Sequence, residues 1–272
     1  MNLPELCDVA LDAARAAGSL IQEYRQSKLE VNRKQGGDTY ASQVVTEVDI
    51  ACEALIIDRL KDSCTKYNIA LLSEEMEDDG SRFDRDYFWC IDPMYGTLPC
   101  IDGYPGYAVS IALVSADGVS HIGVVCDPSS DIIYHAIRGG GAYKNGKLWS
   151  IAHKNSYLSY ITDKSLHDTP RSIEIIELIN REVDQLGLSE YRILSGAGAV
   201  MNAIRVLEHG PALMLKMPKT TLGGGCIWDY AATSCMFHEM GRVATDFHGE
   251  ALDLNKKDGP YMNNKGVYFK NV

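Results

Sequence analysis

Apolar residues recur at helical spacing through residues 4–26, where Leu6, Val9, Ala14, Leu20 and Ile21 share a stripe and Pro4 suits the first turn. A second stripe begins near Glu47, with Val48, Ala51, Leu55 and Ile56 on one side and Thr46 placed to cap it. The polar, glycine-bearing stretch 34–42 between them reads as a loop. Short apolar runs then predict strands at 70–72, 87–91, 108–115, 121–126 and 132–137, with turn chemistry at 116–118 and 127–130. Glycines at 139–141 and Asn145-Gly146 bracket a short hairpin strand at 142–144.

After Trp149 the texture changes to alternation. A helix at 171–186 precedes a strand at 191–194. A helix from about Val200, a strand at 212–216, a helix opened by Asp229 and a strand at 242–245 follow. The first half thus predicts helices followed by an antiparallel-type sheet, and the second is closer to α/β, so the expected class is mixed α+β and α/β. Two halves, 1–150 and 151–272, sharing a cleft is the economical organisation for a chain of 272 residues.

Charge narrows the partners. With 37 acidic against 26 basic residues the chain carries a formal charge of -11. That balance argues against a nucleic-acid polymer or an anionic membrane as the main partner. A small phosphorylated substrate stays compatible, because a bound divalent cation reverses the local field. There is no apolar run long enough to span a bilayer, and the N-terminus lacks the basic start and apolar stretch of a secretory signal. The eight cysteines are scattered without a CxxC pair. A cytoplasmic protein with reduced, mostly buried thiols is therefore expected, without zinc or a disulfide framework. A homodimer is left open.

The candidate chemistry lies in carboxylates at element ends. Glu74 and Glu75 follow the strand 70–72, Asp92 follows FWCI and opens the turn DPMYGT, Asp49 lies in VTEVD, and Asp229 lies in IWDYAAT. A hard cation such as magnesium takes oxygen ligands and leaves positions for water and phosphate. The Gly96-Thr97 turn offers backbone N–H groups to a phosphate oxygen. Each feature has a plainer reading as well. Thr46-x-x-Asp49 is a capping pattern, Asp229 suits a helix start, residues 74–79 form an acidic run of the kind found on solvated faces, and Asp92-Pro93 with Gly96 is an ordinary turn signal.

The ordered series LLSEE, WCIDPMYGT, GYAVSIALV, RGGGAYKNG and IWDYAAT resembles the inositol monophosphatase superfamily along nearly the whole chain. The segment LKMPKTTLGGGCIWDYAAT looks most like its bacterial 3'(2'),5'-bisphosphate nucleotidase branch. The resemblance implies a layered αβαβα sandwich and a Mg2+-dependent phosphate-monoester hydrolase. By similarity, Glu74 would bind the first magnesium and orient the attacking water, Asp92 would bridge two metals, and the Met94 carbonyl would complete the first site. Asp229 would bind the second metal, near the leaving oxygen. Thr97, held by Asp49, would share in activating the water, while the backbone of Gly96 and Thr97 would hold the phosphate. The implied reaction is in-line displacement by metal-activated water.

Position 95 departs from the family, which carries an aspartate there as a ligand of the second metal; this chain has Tyr95. A phenol is neutral near pH 7, bulkier than a carboxylate, and a poor magnesium ligand. The first site keeps its ligands and the second lacks one, so weak activity or a high magnesium requirement is expected. For the substrate, Ser195 to Gly198 precede a helix and offer backbone N–H groups, and Lys216 and Lys219 are placed to meet a second phosphate or to be solvated loop lysines. The expected substrate is a bisphosphate nucleotide. The alternatives are an inositol or sugar phosphate, or a non-catalytic homologue that binds ligand without turnover. A two-carboxylate glycosidase would lack any use for the glycine-threonine turn.

Overall fold

The N-terminal stripe folds as α1 (Leu3–Asn32), antiparallel to α2 (Asp38–Tyr67). The computed structural model describes residues 1–32, 38–96, 100, 104–151, 155–162 and 171–272, with backbone alone over 27–32 and 38–46. Small residues Ala10, Ala13, Ala14 and Ala17 on α1 let the helices close on Val48, Cys52, Ile56 and Leu60, which recur every four residues on α2. Burying a side chain such as Ile56 contributes about 2 kcal/mol. Arg59 pairs with Asp12, and Lys66 with Glu5 at 2.6 Å, across the open edge of the hairpin.

This pair covers one face of a seven-stranded sheet in simple sequence order: β1 (Ala70–Ser73), β2 (Tyr87–Tyr95), β3 (Ala108–Ser115), β4 (Ser120–Asp127), β5 (Ile132–Ile137), β6 (Gly141–Lys144) and β7 (Lys147–Leu148). All neighbours are antiparallel except β1 and β2, which are parallel. Alternation sends Trp89, Ile91, Ile111 and Leu113 toward α1 and α2, and Phe88, Cys90, Ala112 and Val114 to the opposite core. Both faces are buried, so the strands read as continuous apolar runs. Trp89 is fully buried and donates from Nε1 to Ser63 Oγ at 3.0 Å.

On the far face lie α4 (Ala199–Glu208) and α5 (Ile227–Glu239). Beyond them stands a five-stranded sheet built from β8 (Leu158–Ile161), β9 (Tyr191–Leu194), β10 (Ala212–Lys216), β11 (Val243–Thr245) and β12 (Val267–Asn271) in the order β11-β12-β10-β8-β9. Helix α3 (Ser172–Gln185) closes its outer face, setting Ile175, Ile179 and Val183 on Leu158, Tyr160, Leu213 and Leu215. The layers are therefore αβαβα. Close approach of α5 to β4 needs Gly123, where a Cβ would lie 2.1 Å from the Ala232 carbonyl oxygen.

Three local expectations are corrected. Helix α2 starts at Asp38, so the backbone of 38–42 is helical and Thr46 lies inside the helix rather than capping it. The stretch 38–45 contains no glycine or proline, so its composition permits a helix. Asp229 is the third residue of α5, not its opener. Strands β8 and β12 went unread, because each is short and flanked by polar residues that mask its apolar positions. None of the eight cysteines is in a disulfide, and no helix among the described residues is long and apolar enough to cross a membrane.

Candidate active site

Parallel pairing of β1 with β2 sets the end of one strand beside the middle of the other. Glu74 N donates to the Ile91 carbonyl at 3.2 Å, which places Glu74 next to Asp92. The ladder from β2 to β3 is regular as far as Asp92 and Ser110, then shifts before Tyr95 and Ala108. Pro93 has no N–H to give the ladder, and the chain bulges through Pro93 and Met94. Ser110 Oγ donates to the Trp228 carbonyl at 3.1 Å, tying the sheet to the start of α5 one residue before Asp229. Asp229 Oδ2 accepts the Cys226 N–H at 2.7 Å, a helix-capping contact that fixes its carboxylate.

The result is a cluster of mutually repelling acids. Asp92 is fully buried, and burial, then Glu74 and Asp229, hold its pKa well above the usual carboxylate range. Burial pushes Asp229 up to about 7; the Cys226 N–H and the charge of Lys216 oppose the rise, and Glu74 adds to it. Burial, then Glu75 and Glu74, raise Asp49 to about 7. Glu74 sits at the solvent edge of the cluster, yet its carboxyl is still raised, by desolvation and by Glu75 and Glu53, with Asp92 opposing. The Cys226 thiol is pushed up to about 12 by burial and by Asp229, and so stays protonated.

Both carboxyl oxygens of Asp92 are buried without a hydrogen-bond partner. Its carboxylate neighbours satisfy it only when a proton is shared between them, and such an orphaned pair of oxygens is what a cation relieves. Among the described residues, no three His, Cys, Asp or Glu side chains already converge as a metal cage. The donor chemistry nonetheless fits one kind of ion. Glu74, Asp92 and Asp229 offer oxygen alone, the set suited to a hard divalent cation such as Mg2+, which keeps several of its waters.

The other expected residues fall in different places. Met94 is buried in the bulge. Gly96 adopts φ +85°, and a Cβ there would lie 2.9 Å from the Gly106 carbonyl oxygen, so the turn demands glycine on both counts. Thr97 lies outside the described residues. Tyr95 packs its ring on Gly198, the residue before α4; a Cβ on Gly198 would lie 1.7 Å from Tyr95 Cε1. Ser195 is exposed, and its carbonyl accepts from Arg205 at 3.4 Å. Lys216 ends β10 within electrostatic reach of Asp229, whereas the Lys219 side chain lies along Gly223 and Gly224. The structure thus gathers Asp49, Glu74, Asp92, Asp229 and Lys216.

Glu53 was missed by the sequence reading. It lies one helical turn beyond Asp49, is buried, and leaves Oε1 without a partner. Its signal was the four-residue spacing on the face that Val48 and Cys52 bury. A groove of about 620 Å³ lies elsewhere, between α1 and the turn after β4, lined by Arg15, Gln22 and Pro128 among others. Its size does not make it the chemical site, because it holds none of the clustered carboxylates.

Comparison with known proteins bears on the same features. The profile of the inositol monophosphatase family matches residues 2–270. The chain is 29% identical over 259 residues to inositol monophosphatase 1 of Solanum lycopersicum, covering 94% of this chain and 89% of that one. It is 30% identical over 262 residues to the Nus factor SuhB of Pseudomonas aeruginosa, covering 92% and 89%. In three dimensions it resembles CysQ from Bacteroides thetaiotaomicron, a bacterial member of the same family, with a TM-score of 0.76 at 23% identity over 97% of this chain and 96% of that one.

Proposed function

The chain belongs to the inositol monophosphatase family, and from that membership we propose that it is a Mg2+-dependent phosphate-monoester hydrolase acting on a bisphosphate nucleotide. The observation that carries the reading is Asp92, a buried carboxylate with two unpartnered oxygens between Glu74 and Asp229.

In this reading Glu74, Asp92 and the Met94 carbonyl would hold a first cation and Asp229 a second, to which Tyr95 would offer no carboxylate. Bound Mg2+ supplies Lewis-acid polarisation and lowers the pKa of water. The protein's own part is orientation. The Cys226 N–H fixes Asp229, the parallel β1–β2 pair fixes Glu74 beside Asp92, and Asp49 stands behind Glu74 as an acceptor poised near neutral pH. Gly96 would offer its backbone N–H to the phosphate, and the family resemblance would add that of Thr97. Lys216 adds positive charge beside Asp229, and with Lys219 and the 195–198 turn it provides for a second phosphate. The reading places the enzyme in the cytoplasm with a small phosphorylated substrate.

The test is phosphate release from adenosine 3',5'-bisphosphate, an inositol monophosphate and a sugar phosphate, after EDTA treatment and after Mg2+ is restored. Release that requires Mg2+ and favours the nucleotide is expected. Preference for the inositol phosphate would sink the substrate assignment and leave the hydrolase. A second reading, ligand binding without turnover, is favoured by the Tyr95 ring seated on Gly198. Tight binding of the nucleotide with no release at high Mg2+ would establish it.

A further inference from the structure

The carboxylates around Glu74 form two groups that share it. Toward α5 lie Asp92 and Asp229, already assigned. Toward α2 lie Asp49, Glu53 and Glu75, and of these Glu53 has no role in the reading above. It is 8% exposed, and its Oε1 is buried with no partner. Asp49 and Glu53 are four residues apart, so they stand one above the other on the buried face of α2, the face that packs on β2. Glu53 is close enough to Glu74 and Glu75 to act on both charges. A buried carboxylate held beside three others, with an acceptor atom left unused, is destabilising by itself. It becomes favourable when a cation and its waters are brought to that side.

We propose that Glu53 is a positioning residue of the cation site, its free oxygen accepting from water carried by a divalent cation at Glu74. Cations rely on such outer carboxylates for orientation and affinity, and Mg2+, which gives up its waters reluctantly, does so most. The inference rests on the cation reading of the cluster, and it adds to it a residue from α2, on the side away from Tyr95. It also accounts for the otherwise unexplained placement of an acid where Val48, Cys52, Ile56 and Leu60 make the rest of the helix face apolar.

Calorimetric titration of the EDTA-treated protein with Mg2+, and paramagnetic resonance with Mn2+ as probe, compare the wild type with Glu53→Gln and Glu53→Asp. Glu53→Gln is expected to weaken cation affinity about tenfold or more, while its cation-free melting temperature stays level or rises because a buried charge is gone. Glu53→Asp, which keeps the charge on a shorter arm, should fall between. A structural role alone would lower the cation-free melting temperature and leave affinity untouched, and that outcome overturns the proposal. Unchanged affinity in both variants overturns it as well, with the hydrolase reading intact. If the wild type binds neither cation, both readings fall together.

Discussion

The Tyr95 ring rests on the Cα of Gly198, so closely that a methyl group on residue 198 would lie 1.7 Å from Cε1. The contact joins the end of β2 to the start of α4, and each residue needs the other's shape. Gly198→Ala should therefore displace the ring and lower stability by about 1–3 kcal/mol, the usual cost of overpacking. In a Tyr95→Ala background the same substitution should have much less effect. Urea unfolding of the two single variants and the double variant measures the coupling. Additive losses would mean that the ring does not depend on the glycine.

Tyr95→Asp removes the ring and, on the proposed reading, would supply the oxygen ligand that the second cation position lacks. Phosphate release should rise at least tenfold at saturating Mg2+, since stabilising a leaving oxygen is worth several kcal/mol of barrier. Stability should fall, because the ring's packing is lost. A rate that stays flat would show that position 95 does not limit turnover.

Asp92→Asn tests the central carboxylate by its opposite effects. The amide can donate to Glu74 or Asp229 without the shared proton that the acid needs. Without cation the variant should gain about 1–3 kcal/mol, and Mg2+ binding and phosphate release should be abolished. Calorimetric melting in EDTA and in Mg2+ reads both effects. A variant less stable than wild type in EDTA would contradict the strained cluster.

The pH dependence has a definite sign. Asp49 and Asp229 are raised from 3.8 to about 7 in the folded chain. A raised folded pKa gives stability that is full below 3.8 and is lost as pH rises through about 7. In EDTA the protein should thus weaken between pH 5 and 8. His121 and His135, lowered from 6.5 by burial, act in the opposite sense below that pH. Asp49→Asn should flatten the profile, and Mg2+ should reduce the loss by favouring the charged forms. Urea midpoints at four pH values suffice. A wild-type profile in EDTA that rises from pH 5 to 8 would refute the assignment.

Gly123→Ala places a methyl 2.1 Å from the Ala232 carbonyl oxygen. Backbone cannot yield there as a side-chain tip would, so a loss at the upper end of about 1–3 kcal/mol is expected. Because α5 carries Asp229, the shift should weaken Mg2+ binding as well as lower the melting temperature.

Much of this was legible from residues alone. The strands at 108–115, 132–137, 191–194 and 212–216 coincide with β3, β5, β9 and β10, because buried apolar runs bounded by turn residues leave little choice. Glu74, Asp92 and Asp229 were visible as acids at element ends. Contacts distant in sequence were not visible. Gly198 read as one of the backbone donors before a helix, and only the fold reveals the ring above it. Glu53 had no place in the sequence reading, and only its burial on α2 brings it forward. The start of α2 escaped because its polar residues read as a loop, although no glycine or proline in 38–45 breaks a helix.

Asp229 uses one oxygen to hold the Cys226 N–H. The other oxygen is left for an incoming ion, and a chelate through both would have to share the capping oxygen with the Cys226 N–H. The helix therefore limits how Asp229 grips an ion: one-handed binding leaves α5 in place whether the ion comes or goes. On the proposed reading, an ion held in this way would leave with the product without the helix end unwinding.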